Sequence, residues 1–140
     1  MKKILLIATF IISGILSVNA QDQETFNLKI EIEGIKTNKG KIYIAIYDNE
    51  ASFLKSSKGV IAEINDLKST AIIKNLKKGE YAISLFQDVN ENKKMDTKIF
   101  GIPKEPYGFS NDATGFMGPP KYNDAKFNLD ANKTITININ

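Results

Sequence analysis

The chain of 140 residues has no cysteine, no histidine and no tryptophan, and all 19 of its basic residues are lysine. Without cysteine there are no disulfides, no thiol chemistry, no thiolate zinc site and no lipid-modified N-terminal cysteine. Without histidine the commonest general base and the commonest transition-metal ligand are missing. Without arginine, bidentate guanidinium recognition of phosphate is excluded. Helical periodicity is lacking too, since no segment repeats apolar residues at i, i+3, i+4 and i+7. A long apolar run occurs once, from Ile4 to Val18, behind Met1-Lys2-Lys3 and ending in Val18-Asn19-Ala20. This is the layout of a cleavable signal peptide, residues 1–20. The run falls short of the ~20 residues that cross a bilayer. The expected product is an exported protein, periplasmic or extracellular, that starts at Gln21 and has no transmembrane segment. Without Lys2 and Lys3 it carries 17 lysines against 16 acids. That overall balance makes no case for nucleic acid or an anionic surface as partner.

What is present from Gln21 on is period-two alternation. Phe26, Leu28, Ile30 and Ile32 alternate with Asn27, Lys29, Glu31 and Glu33, which reads as a strand with one face in a core and one in water. Lys41 to Tyr47 is apolar on both faces and is expected to be a central strand. Val60 to Ile64, Thr70 to Leu76, Tyr81 to Phe86, Lys126 to Leu129 and Thr134 to Ile139 follow, most of them introduced by turn residues such as Gly59 or Lys78-Gly79. Ala51 to Ser57 reads as one helical turn or an irregular crossover. About seven short strands in residues 21–140 imply a single all-β domain, a two-sheet sandwich of immunoglobulin-like or transthyretin-like type. A small β-barrel is the alternative.

Between Asp88 and Ala125 the alternation stops. All four prolines lie there, together with Gly101, Gly108, Gly115 and Gly118. Loops beyond ~12–15 residues are uncommon in compact domains and are usually functional or disordered. Five aromatic residues, from Phe100 to Tyr122, point to an ordered loop pinned to the sandwich.

Two groups in this loop carry candidate chemistry. In Asp88-Val89-Asn90-Glu91-Asn92-Lys93-Lys94-Met95-Asp96, oxygen side chains fall at positions 1, 3, 5 and 9, with the Lys94 carbonyl at 7. That is the spacing with which EF-hand-like loops wrap Ca²⁺. Lys93 stands where such loops have glycine, and Ile99 where they have a bidentate Glu, so any site is expected to be weak, with Kd of ~10⁻⁴–10⁻³ M. The competing reading is a turn in which Asp and Asn side chains bond their own backbone. The second group is Tyr107, Phe109, Phe116 and Tyr122, either a stacking platform for a ligand or a set of anchors that bury ring area. Catalysis has thinner support: Ser110 with Lys104 is an available serine–lysine pair, and Glu105 with Asp112 an available pair of carboxylates.

Gly79-Glu80-Tyr81-Ala82-Ile83, the Asp88-to-Asp96 motif, the run Gly101 to Asn111, Gly118-Pro119-Pro120 and Asp124-Ala125-Lys126-Phe127 jointly resemble the bacterial exported family catalogued as domain of unknown function 2141. The likeness covers nearly all of the chain after Gln21. It implies an immunoglobulin-like sandwich and no activity, since the family's function is unassigned and sandwiches host many functions. Members often have His before the first Asp of the motif; this chain has Gln87. The expectation is a non-catalytic module that binds a small ligand, glycan or envelope protein through residues 88–125, with Ca²⁺ as a possible ordering ion. An envelope-associated protein that meets a partner through the edge strand Thr134 to Ile139 is the alternative, and a hydrolase the weakest reading.

Overall fold

The computed structural model describes residues 23–55 and 57–140. The expected signal peptide lies outside them. Among the described residues, nine strands and one short helix follow in order: β1 (Thr25–Glu33), β2 (Lys41–Tyr47), β3 (Lys58–Ala62), β4 (Ile64–Asn65), β5 (Lys68–Lys77), β6 (Gly79–Asp88), β7 (Tyr107–Phe109), α1 (Tyr122–Ala125), β8 (Phe127–Leu129) and β9 (Lys133–Asn138). They form two sheets, one ordered β4-β5-β1-β9, the other β3-β2-β6-β7 with β8 also on β6. The sheets do not close into a barrel, so the architecture is the sandwich. All pairs are antiparallel except β1 with β9, which run parallel with Ile30 opposite Ile135.

The alternation explains the packing. Leu28, Ile30 and Ile32 of β1, Ile42, Ile44 and Ile46 of β2, Ile83 and Leu85 of β6 and Ile137 of β9 all fill one core between the sheets. Asn27, Lys29, Glu31 and Glu33 take the other face of β1, where Lys29 and Glu31 pair at 2.6 Å. Strand β2 is interior, between β3 and β6. Its second face is apolar because Tyr47 joins a smaller cluster with Phe53, Ala82, Phe109, Tyr122 and Ala125. That cluster lies on the side of the β2-β6 sheet away from the main core, as the alternation of Ala82 with Ile83 requires.

Four features refine or depart from the sequence reading. The run Val60 to Ile64 is broken at Glu63, where the chain leaves one sheet and enters the other as β4. Residues 50–55 take the irregular course of the two read for Ala51 to Ser57, with turns from Phe53 N–H to Glu50 and from Lys55 N–H to Ser52, and bury Phe53. Residues 88–125 are not bare loop, since they contain β7, α1 and two 3₁₀ turns. Finally, the edge strand β9 is partly covered. Asn140 and Tyr107 exchange backbone hydrogen bonds of 3.3 and 3.4 Å between β9's end and β7, while the Asn138 N–H is taken by Asp112. Gly108 permits that approach, because a Cβ there would sit 2.6 Å from the Asn138 carbonyl.

The core face yields a direct test. Ile30 is fully buried and Glu31 is half exposed. Ile30→Asp places an unpaired charge between the sheets and is expected to cost about 3 kcal/mol or more. Glu31→Ala removes only a surface pair and is expected to stay within about 0.5 kcal/mol. Denaturant melts of the two variants check the pair, and equal losses would contradict the strand's phase.

Candidate functional site

Strand β6 ends at Asp88, which is 1% exposed. A buried carboxylate must be matched by donors, and two backbone amides supply them: Asn92 N–H to Oδ1 at 3.2 Å and Lys93 N–H to Oδ2 at 2.7 Å. Lys93 reaches this position at a φ of 64°, the left-handed conformation that a turn glycine would adopt freely. Asp96 stands opposite and accepts from the Asn90 amide at 2.6 Å and the Asn92 amide at 2.9 and 3.0 Å. These bonds, Asn90's first, hold its carboxyl below the usual carboxylate range. The loop is thus one knot of Asx-type bonds. Asp88, Asn90, Asn92 and Asp96 converge in it, and Lys94 enters through its N–H to Asn92 Oδ1 at 3.2 Å. No group of three or more acidic side chains among the described residues is placed to hold a metal ion.

Glu105 closes the knot from outside the motif. Buried to 8% exposure, its carboxylate accepts from Val89 N–H at 3.1 Å and from Asp96 N–H at 3.2 Å, so it clamps both ends of the loop. Spacing gave no sign of this role, because the partners are 16 and 9 residues away. Gln87 was equally silent. It is fully buried, and its amide donates to the Thr37 and Lys39 carbonyls, both at 2.8 Å, with Oε1 left without a partner.

Three of the four residues considered for catalysis, Ser110, Glu105 and Asp112, tie parts of the fold together. Ser110 is fully buried. Its hydroxyl accepts from Ile83 N–H at 2.9 Å and donates to the Ala125 carbonyl. The next two residues continue the pattern. The Asn111 amide donates to the Asp124 and Lys126 carbonyls, and the Asp112 carboxylate accepts from the Asn138 N–H and amide at 2.8 and 2.9 Å. Asn111 and Asp112 adopt φ of 60° and 48°, which short polar side chains tolerate better than most. Ser110, Glu105 and Asp112 are therefore all engaged by the fold.

The four aromatic candidates separate in the same way. Phe109 and Tyr122 are buried in the smaller cluster, where Phe53 packs against Tyr122 at 5.6 Å between ring centroids. They anchor the segment and do not form a platform. Tyr107 is 39% exposed and meets Phe109 edge-on at 6.0 Å. Phe116, 94% exposed, projects from the loop. Between Tyr107 and the 113–120 segment lies a cleft of about 220 Å³, lined among others by Phe109, Thr114, Pro120, Asn138 and Asn140. A larger depression of about 510 Å³ lies at the opposite end of β2 and β6, around Asp48, Lys58, Lys77 and Tyr81. It contains none of the candidate metal or ligand residues, and of the quoted motifs only Tyr81.

The family described as "Uncharacterized protein conserved in bacteria (DUF2141)" matches residues 30–138, most of the chain. No curated protein and no solved structure matches it.

Tyr122 generates a prediction of its own. Its hydroxyl is buried without a hydrogen-bond partner, and burial, then the nearby Glu80 charge, push the phenol from 10.0 up to about 12. Glu80 approaches without meeting hydrogen-bond geometry, so its charge and not a bond is the second cause. A raised pKa in the folded state stabilises the fold below the unfolded value and is lost as pH rises through the folded one. Stability should therefore fall between pH 10 and 12. Tyr122→Phe removes an unpaired hydroxyl and is expected to be neutral or stabilising by about 1 kcal/mol at pH 7, with a shallower loss at alkaline pH. Thermal melts at both pH values check it.

Proposed function

We propose a function for a chain that belongs to the bacterial family DUF2141: it is an exported, non-catalytic binding module that takes a small polar ligand of the sugar type in the cleft under Tyr107. The observation that carries this reading is the cleft itself, in which a partly exposed aromatic ring shares the lining with Asn138, Asn140 and Thr114. An aromatic face covers the apolar side of a sugar ring while amides and hydroxyls meet its oxygens. Sites of this kind are concave and largely preformed, and the walls here are held in place. Asp112 fixes Asn138, Ser110 fixes the end of β7, and Phe109 is buried in the smaller cluster. The volume suits one ring, not an extended chain.

The edge-strand alternative has weaker support, since Asp112 and Tyr107 already cover β9 at Asn138 and Asn140. The hydrolase reading loses its serine to the Ile83 and Ala125 bonds. Calcium enters the proposal as an ordering ion of the 88–96 loop. Lys93 already makes the sharp turn that such loops need, and rotating the Asn90 and Asn92 amides would exchange their N–H donors for oxygen ligands beside Asp88 and Asp96.

Two measurements test these parts separately. Amide spectra of the isotopically labelled protein, titrated with N-acetylglucosamine, glucose and their disaccharides, are expected to shift at Tyr107, Thr114, Asn138 and Asn140. Tyr107→Ala should weaken that binding about tenfold or more, as loss of a stacked ring does. No shift across the panel, or shifts confined to the Asp48–Tyr81 depression, would remove the cleft as the site. For the ion, melts in chelator and in ~10 mM Ca²⁺ should differ by several degrees, because ligand at about ten times Kd stabilises the folded state by about 1.4 kcal/mol. Asp88→Asn and Asp96→Asn should each reduce the difference. Superimposable melts would leave the loop as an Asx knot.

A further inference from the structure

We propose that the hairpin Thr97–Lys104 is a membrane-docking tip that inserts its apolar turn into an anionic bilayer surface. Three bulky apolar side chains crown it: Ile99, Phe100 and Ile102 are 77%, 97% and 55% exposed. They sit on a built turn. Thr97 and Pro103 form a β-bridge, Lys98 N–H bonds the Ile102 carbonyl at 2.6 Å, and Gly101 N–H bonds Lys98 at 3.2 Å. Lys104 N–H reaches Asp96 at 2.8 Å at the base, where the Glu105 clamp holds both strands to the sandwich. Phe100 is kept at a φ of 65°, which costs a non-glycine residue energy. The hydrogen bonds of the turn hold that backbone, and the ring itself is almost wholly in water.

Charge names the partner. The eight residues Thr97–Lys104 hold two lysines and no acid, so the near-zero balance of the whole chain does not describe its tip. Lys98 and Lys104 flank the apolar crown, and long lysine side chains keep their ammonium groups at the headgroups while the stem lies in apolar surroundings. Each is attracted to an anionic surface, and an aromatic ring at the interface adds apolar burial. A protein partner fits less well. Specific interfaces bury ~800 Å² per side, whereas a narrow convex turn needs a soft medium that closes around it.

The chain lacks tryptophan, so Phe100→Trp creates a single reporter. The experiment uses the chain from Gln21, which keeps every residue of both sheets and both clusters and removes the apolar run 4–18. With vesicles of equal parts phosphatidylglycerol and phosphatidylcholine, the reporter's emission should shift to the blue and the wild-type protein should co-sediment. Pure phosphatidylcholine should bind several-fold less, as should the mixed vesicles with Lys98→Gln/Lys104→Gln or at high salt, which screens surface charge. Ile99→Ser/Phe100→Ser/Ile102→Ser should lower co-sedimentation about tenfold or more with an unchanged melting temperature, since these side chains are exposed. Co-sedimentation equal in the triple variant and the wild type would overturn the proposal. No binding to either vesicle would also overturn it and leave the tip as a contact for a protein pocket.

Discussion

Strand β6 has one edge on β2 and a second edge that no single strand covers. β8 pairs with its first residues, Gly79 to Tyr81, and β7 with Ser84 to Phe86. The Ile83 N–H falls between them, in a strand where an unpaired buried amide is costly. Ser110 fills that gap with a side chain, and the same hydroxyl donates to Ala125 ahead of β8. One buried oxygen thereby completes a sheet edge and joins the two short strands that share it. The course of the segment between β7 and β8 follows, because both of its ends are held at β6.

Around that tie, the order of the 88–125 segment comes from polar groups that meet backbone. Asp88, Glu105 and Asp112 each accept two hydrogen bonds, at least one of them from a main-chain N–H. Carboxylates accept such bonds more strongly than neutral groups do, and the bonds fix loops that have little apolar area of their own. The aromatic residues divide the remaining work. Phe109 and Tyr122 bury their rings against Phe53, while Tyr107 stands partly exposed over the cleft. Exposed Ile99, Phe100 and Ile102 on a clamped turn are the opposite case, apolar area that the fold holds outside its core.

The strand phases, the interior position of β2 and the ordered nature of the long loop were legible in the residues. Each depends on local patterns, alternation at i and i+2 or aromatic content, that water reads in the same way whatever the chain does elsewhere. The convergence of Asp88, Asn90, Asn92 and Asp96 was also visible, because their partners lie within six residues, whereas the turn that Lys93 makes in place of glycine was not. The break at Glu63 was not visible, since one apolar run serves two sheets equally well. The parallel pairing of β1 with β9 has no local signature either.

The sequence by itself determined an all-β chain with one wet and one dry face on most strands, and it located the polar loop. Only the tertiary structure decided what the loop's side chains do. Ser110 meets a strand 27 residues away, Asp112 one 26 residues away, and Glu105 an amide 16 residues away. A serine that caps a sheet edge and a serine that attacks a substrate are the same residue in a one-dimensional pattern. They differ only in what folding places within 3 Å of the hydroxyl and in whether water reaches it.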